Sequence, residues 1–533
     1  MTLPEFDASL MLMIDGLTQA QAYRHKVDSV KLIETHISWV FLTGAFAYKI
    51  KKPVNFGFLD FSSLEKRAFY CQEELRLNQR LSPQVYLGVV AITGSSEKPE
   101  MEGDGEPIEY AVKMLQFNGG DVLTQRVENG CLSHEEVDEM ALQMGRFHLA
   151  AAIAESASPY GEIEEIAYRS DENFQQVRLL LGSGSDLTDL EELAVWSENE
   201  LVVKRSWFEA RKAQGFVREC HGDWHLGNMT LHKGQLIVFD CLEFNPLLRW
   251  IDVISELAFI VMDLANSGLM GQGIRLVNHY LQLTGDYQGI RLLRYYLVYR
   301  AMVLAKVALF KRQQASSVQE KEKALAAFHS YLKLAGQFSH KKRPVLIITC
   351  GFSGSGKSTL CKALAEQLGS LWVRSDSERK RLQTFSDPTR QHLPDKGLYS
   401  DQSRDQVYRR LLTIAEDVLA EGFPLMVDAT FLKIQQRTLF YQLALAMNAD
   451  FLILQCEASE PMMSQRIEHR GRLNNDPSEA TAEVMHLQMQ SFEPLTEEEK
   501  AHTLTVNTEN ELSVSSVLAA LKRFSGADSA LLL

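Results

Sequence analysis

Residues 345–369 read Val345-Leu-Ile-Ile-Thr-Cys350, then Gly351-Phe-Ser-Gly-Ser-Gly-Lys-Ser-Thr359, then Leu360-Cys-Lys-Ala-Leu-Ala-Glu-Gln-Leu368-Gly369. The first piece is an apolar, β-branched run of strand length. The last has apolar residues at helical spacing, with Gly369 as a stop. The middle piece fits G-x-x-x-x-G-K-S/T. Strand, glycine loop, helix is the order that phosphate binding requires. Glycines let backbone N–H groups curl toward phosphate oxygens, and the helix N-terminus adds a positive field. Gly351, Ser353, Gly354, Ser355, Gly356 and Thr359 form the cradle. Lys357 is placed to reach β/γ-phosphates and Ser358 to hold Mg²⁺.

Moving outward, Trp372-Val-Arg-Ser-Asp376 reads as a second strand ending in an acid, with Arg379 one turn on. Ligands sit at the carboxyl ends of parallel strands, so Asp376 is a candidate acceptor of a hydroxyl proton. The alternative is an N-cap for the helix that follows. Pro424-Leu-Met-Val-Asp428-Ala-Thr430 is a third buried strand, with Asp428 as a candidate metal ligand. Phe451-Leu-Ile-Leu-Gln-Cys456 is a fourth. Arg466, Arg470 and Arg472 follow on and beyond a helix, and Gly471 suggests a movable segment. Arginines there can clamp a transferring phosphate, and Arg470 is the catalytic candidate.

At these residues the chain resembles a known group. Residues 345–500 look like the small P-loop kinases that include gluconate kinase, polynucleotide 5′-kinase and zeta-toxin-type kinases. The resemblance implies a parallel sheet with helices on both faces, an arginine-bearing lid and phosphorylation of a hydroxyl. In that family the Ser-Asp after the second strand carries the hydroxyl-activating acid, which falls on Asp376.

A second, unrelated signature lies upstream: His221-Gly-Asp-Trp-His-Leu-Gly-Asn228. Asp223 and Asn228 have the spacing of a catalytic base and a metal ligand in a kinase catalytic loop. Gln235-Leu-Ile-Val-Phe-Asp240 follows, with Lys233-Gly234 as a hairpin turn, and supplies Asp240 as a second metal ligand. His221 is expected to brace the loop backbone. His221-Gly222 in place of His-Arg resembles aminoglycoside phosphotransferases and choline kinases. That resemblance covers roughly residues 30–300 and implies a protein-kinase-like fold. It also gives Asp252 a bracing role under the catalytic loop.

Such a fold needs a strand lysine and a helix glutamate. Stretches 36–44 and 45–52 read as two strands with a turn near Thr43-Gly44. Lys49 follows Ala47 by two, so both share a face, and Lys51 is a rival on that same face. A helix over 62–81 offers Glu73 and Glu74, of which Glu74 is favoured; a solvated helix face is the alternative for either. Ala111–Phe117 reads as the strand whose backbone holds adenine. No G-x-G-x-x-G precedes Lys49.

The fold class is therefore α/β and α+β: an N-terminal protein-kinase-like (aminoglycoside phosphotransferase) fold and a C-terminal P-loop NTPase fold with a parallel sheet. The expected domains are 1–338 and 345–524, with a basic linker at 339–344 and a flexible tail at 525–533. The chain has 533 residues, 45% of them hydrophobic and 23% charged, which is the composition of a globular protein of two or three domains. A net charge of −14 argues against bulk nucleic-acid binding. The seven cysteines show no metal spacing and read as reduced thiols. No signal peptide or membrane span is evident, so a cytoplasmic location is expected. The expected activity is ATP- and Mg²⁺-dependent phosphorylation of small-molecule hydroxyls, by both halves. Two alternatives stand beside it. One half is a nucleotide-sensing regulatory module, or the C-terminal half is a polynucleotide 5′-hydroxyl kinase.

Overall fold

The computed structural model describes residues 7–57, 59–182, 184, 186–386, 401–473, 478, 480–509 and 514–524. The expected tail at 525–533 lies outside them. Contacts divide the chain into two compact units. The first holds Met1–Glu136, Ala150–Glu162 and Arg211–Glu256; the second holds Val137–Leu149, Ile163–Ala210 and Leu257–Leu533. The division does not fall at 339–344. Ser339 ends the helix Val318–Ser339, and the next strand begins at Val345.

The first unit is built on a six-stranded antiparallel sheet. Period-2 alternation explains its two faces. Trp39, Phe41, Tyr48 and Ile50 point into one core with Met13, Ile14 and Leu17 of the helix Ala8–Leu17. Ala47 points the other way, with Cys71 of the helix Leu64–Asn78. Lys49 and Lys51 share that second face. The sequence pattern implies two strands over 36–52. The structure has Ser38–Leu42 and Phe46–Lys51, with Lys31–Glu34 as a further edge strand. The hairpin Met229–His232 and Gln235–Val238 forms as expected. Its turn residues Lys233 and Gly234 have φ of +52° and +76°, the left-handed pair of a type I′ turn.

The second unit joins helices of the first half of the sequence to the P-loop domain. Its five-stranded sheet is parallel throughout, in the order Leu371–Arg374, Leu425–Asp428, Val345–Cys350, Asp450–Glu457, Thr503–Asn507. The fifth strand was not read in the sequence. Helices Met270–Thr284 and Ile290–Gln314 pack on this domain through buried polar contacts. Asn278 donates to Ser370 O (3.0 Å) and accepts from Trp372 N (2.8 Å). Arg294 donates to Glu421 O (2.8 Å) and Phe338 O (2.7 Å), and Lys204 pairs with Glu421 (2.8 Å). Each of these groups is buried and matched, as low-dielectric surroundings require. Six cysteines are buried and Cys131 is exposed, and none of the seven forms a disulfide. Among the described residues no helix is long and apolar enough to cross a membrane.

Candidate functional site

The strand Phe46–Lys51 and the helix Leu64–Asn78 bring the predicted lysine and glutamate together. Lys49 Nζ donates to Glu74 Oε1 (2.9 Å) and to the Asp240 carboxylate. Lys51 also reaches Glu74, at Oε2 (2.7 Å), and the Glu243 carboxylate. Both lysines therefore meet the same glutamate. Glu73 instead pairs with Arg76 (2.7 Å) and Arg249 (2.8 Å). Burial opposes the charged form of Glu74, but the two ammonium groups outweigh it and hold its carboxyl well below the usual range. Burial likewise works against the charge on Lys49, and Asp240 and Glu74 overcome it, raising its pKa.

The catalytic-loop candidates sit beside the hairpin. Asp223 Oδ2 accepts from Asn228 Nδ2 (2.9 Å) and lies 3.6 Å from His225 Nε2. Phe239 N donates to Asn228 O (3.0 Å), so the loop and the residue before Asp240 are tied together. Asp240 adopts φ +64°, a left-handed conformation that a non-glycine residue rarely takes without cause. Its N–H donates to Tyr86 Oη (3.0 Å). His221 is buried, and its ring spans Phe239 O (3.0 Å) and Asp223 N (3.3 Å). Accepting from Asp223 N at Nδ1 leaves the proton on Nε2 to be donated to Phe239 O. Burial lowers its pKa, so it braces the loop as a neutral ring.

The role expected of Asp252 belongs to another residue. Asp252 is held by a two-pronged contact from Arg211 (2.6 and 2.8 Å). Glu256, one helical turn later, accepts from Gly222 N (2.6 Å) and His221 N (3.1 Å). Both acids lie within one turn, and no pattern in the sequence says which of them reaches the loop.

In the second unit, residues 351–359 form the expected glycine loop into the helix Lys357–Leu368. Gly351, Gly354 and Gly356 have φ of +149°, +83° and +87°. A Cβ on Gly354 would stand 2.6 Å from Met463 O, so the loop's path depends on that glycine. The loop is held from outside. Arg466 donates to Gly354 O (3.3 Å), Thr508 Oγ1 to Ser355 O (2.8 Å), and Ser353 N to Gln488 Oε1 (2.8 Å). Gln488 and Thr508 carried no signal in the sequence. Lys357 is buried and donates to Phe352 O (2.7 Å). Thr359 follows in the first turn of the helix.

Around the loop stand the expected acids. Asp428 ends its strand, buried, with Arg374 Nε 3.8 Å from Oδ2. Burial pushes its carboxyl up, against the pull of Arg374, Lys357 and a hydrogen bond from Ser358. Asp376 lies in the first turn of the helix Ser375–Ser386, past the strand end, and pairs with Arg379 (2.6 Å). Burial opposes its charge, yet Arg379 and Ser478 leave its carboxyl below the ordinary value. Of the three arginines, Arg466 is the one set against the P-loop. Arg470 donates to Ala480 O (3.2 Å), and Arg472 is exposed, 3.9 Å from Glu468. The helix Glu460–Leu473 runs unbroken through Gly471. Residues 474–477, where the lid reading continues, lie outside the described residues.

Both sites offer oxygen donors suited to a hard cation such as Mg²⁺. Among the described residues Asp428 Oδ2 is buried without a hydrogen-bond partner, and the Ser358 hydroxyl hydrogen-bonds to the carboxylate. In the first unit, Asn228 offers an amide oxygen and Asp240 a half-exposed carboxylate, on segments tied by the Phe239 N–Asn228 O bond.

Fold and sites together define a protein of two unlike folds, a kinase-like half followed by a P-loop half. The AAA domain family matches residues 346–495. The chain belongs to the same family as an uncharacterized protein of Mycobacterium tuberculosis, 31% identical over 456 residues, 85% of this chain and 88% of the relative. Among solved structures, a gluconokinase from Sinorhizobium meliloti is similar at 23% identity and TM-score 0.26, covering 35% of this chain and 95% of its own. An ADP-bound aminoglycoside phosphotransferase is similar at 13% identity and TM-score 0.36, covering 63% of this chain and 99% of its own.

Proposed function

We propose that the protein is a bifunctional ATP- and Mg²⁺-dependent phosphotransferase, each half phosphorylating a hydroxyl group of a small molecule. One observation carries this reading: each half holds its own lysine, its own acid at a strand or loop end, and its own oxygen donors for a cation. Lys49, Asp223, Asn228 and Asp240 serve one site; Lys357, Ser358, Asp376 and Asp428 serve the other.

In the first half, Glu74 holds Lys49 toward the nucleotide phosphates, as the ion pair at 2.9 Å supports. Asn228 and Asp240 hold Mg²⁺. Asp223 orients the acceptor hydroxyl and takes its proton late, its carboxylate kept in place by Asn228. In the second half, N–H groups of residues 353–359 bind the phosphates. Lys357 leaves Phe352 O to neutralise the β/γ-oxygens. Ser358 and Asp428 hold Mg²⁺, and Asp376 takes the acceptor proton. Arg470 and Arg466 lie on the helix that flanks the transferring group. Bound Mg²⁺ would supply neutralisation of negative charge on the nucleotide phosphates at each site.

Equilibrium titration of the full chain with a non-hydrolysable ATP analogue and Mg²⁺ tests the reading. Two sites per chain are expected. Lys357→Ala should remove one, and Asp240→Asn should weaken the other. A single site, abolished by Lys357→Ala, would favour a regulatory, non-binding first half.

A further inference from the structure

Lys51 is the least expected member of the first site. Its side chain has no exposed surface, so it cannot touch a nucleotide in this arrangement. It nonetheless carries a charge in the interior, which is costly unless that charge is matched. Three groups match it. Glu74 Oε2 lies at 2.7 Å, the Glu243 carboxylate takes a second hydrogen bond, and the Phe61 ring lies 4.9 Å away at its centroid. Glu243 is itself buried, and burial raises its carboxyl pKa against the pull of Lys51.

The positions of these partners matter. Glu74 belongs to the helix Leu64–Asn78 and pairs with Lys49 through its other oxygen. Glu243 lies three residues beyond Asp240, on the segment that carries the proposed metal ligand. Lys51 therefore bridges the helix to that segment. A lone lysine–glutamate pair breaks when its helix rotates away. Here the same rotation would also strip Lys51 of a partner and leave a buried charge poorly compensated. We infer that Lys51 is a positioning residue, bracing Glu74 and the Asp240–Glu243 segment as one body so that Lys49 and Asp240 stay aligned before nucleotide arrives. This deepens the reading of the first half as a nucleotide–metal site and rests on it.

The test uses the full chain carrying Lys357→Ala, which removes the P-loop site from the measurement. Affinity for ATP is measured by calorimetry with Mg²⁺ and again with a chelator. Lys51→Met should cut the Mg²⁺-dependent gain in affinity by about 10–100-fold, the cost usual for losing support behind a metal ligand. Affinity without Mg²⁺ should change far less. Glu243→Gln should act in the same direction. In the double variant the two effects should not add, because both remove one bridge. If Lys51→Met fails to fold, Glu243→Gln, which keeps the shape, carries the measurement. Asp240→Asn is the control for the underlying reading. If it leaves the Mg²⁺-dependent gain intact, the metal site itself is wrong and the bracing role falls with it. If Asp240→Asn abolishes the gain while Glu243→Gln and Lys51→Met leave it whole, the bracing role alone is overturned. Equal loss with and without Mg²⁺, or strictly additive effects, overturns it as well.

Discussion

Replacing Glu74 by Gln keeps the shape of the side chain and removes its charge. Each oxygen of the buried carboxylate takes one ammonium, Lys49 at 2.9 Å and Lys51 at 2.7 Å. The amide offers one acceptor and turns an NH₂ group toward the other lysine. Removing one member of a buried ion pair costs about 3–5 kcal/mol. Each lysine keeps a second carboxylate, Asp240 or Glu243. The lower end therefore applies, about 3 kcal/mol. That is on the order of a hundredfold in the opening equilibrium of the helix it anchors. Hydrogen exchange read by mass spectrometry on Leu64–Asn78 measures this directly. The effect has a pH signature. Burial disfavours the Glu74 charge, the two ammonium groups more than compensate, and the native pKa lies below 4.5. An unfolded glutamate takes up a proton first as pH falls, so the stabilisation is complete above 4.5 and is lost below it. The gap between wild type and Glu74→Gln should close over that interval. Unchanged exchange in this helix, or equal acceleration in Lys357–Leu368 of the other unit, would refute the argument.

Three other outcomes are expected. Gly354→Ala forces a left-handed alanine, costing about 1–2 kcal/mol, and drives its Cβ to 2.6 Å from Met463 O. ATP affinity at the P-loop should fall by at least about tenfold, and calorimetry showing equal affinity would contradict the assigned loop. Gly336→Ala, in the helix Val318–Ser339 with nothing near its Cβ, should stabilise the second unit by roughly 0.5–1 kcal/mol, visible as a higher denaturant midpoint. Burial holds the native pKa of His221 below 6.5, so unfolded chains take up protons that the native ring refuses, and stability should fall as pH drops below that value. Melting curves of wild type and His221→Gln between about pH 7.5 and about pH 5.5 check this; parallel slopes would count against a buried neutral ring.

Much of this was legible because chemistry and periodicity coincided. The two-residue step from Ala47 to Lys49 to Lys51 put the lysines on a shared face, and the helix over 62–81 offered Glu73 and Glu74 as partners, of which Glu74 meets them. The sequence left Lys49 and Lys51 as rivals; in the fold one glutamate, with an oxygen for each, accommodates both. The left-handed pair Lys233-Gly234 announced the hairpin. The strand Thr503–Asn507 escaped notice because it is short, mostly polar and at the sheet edge, where burial imposes little pattern. Gly471 suggested a movable segment; a glycine with open space around it is also tolerated inside a helix, and the helix continues to Leu473. The grip of Arg466, Thr508 and Gln488 on the P-loop involves main-chain carbonyls and N–H groups, which no side-chain motif reports.

The basic stretch at 339–344 is a joint along the sequence but not the place where contacts divide the chain. Lys204, Asn278 and Arg294, all encoded upstream of it, find their partners at Glu421, Ser370 and Trp372, encoded downstream. Exchange of genetic material at that joint would give offspring in which buried cations and an amide face an unfamiliar surface. Such hybrids would carry unmatched interior groups from the outset, a buried cation without its partner being costly.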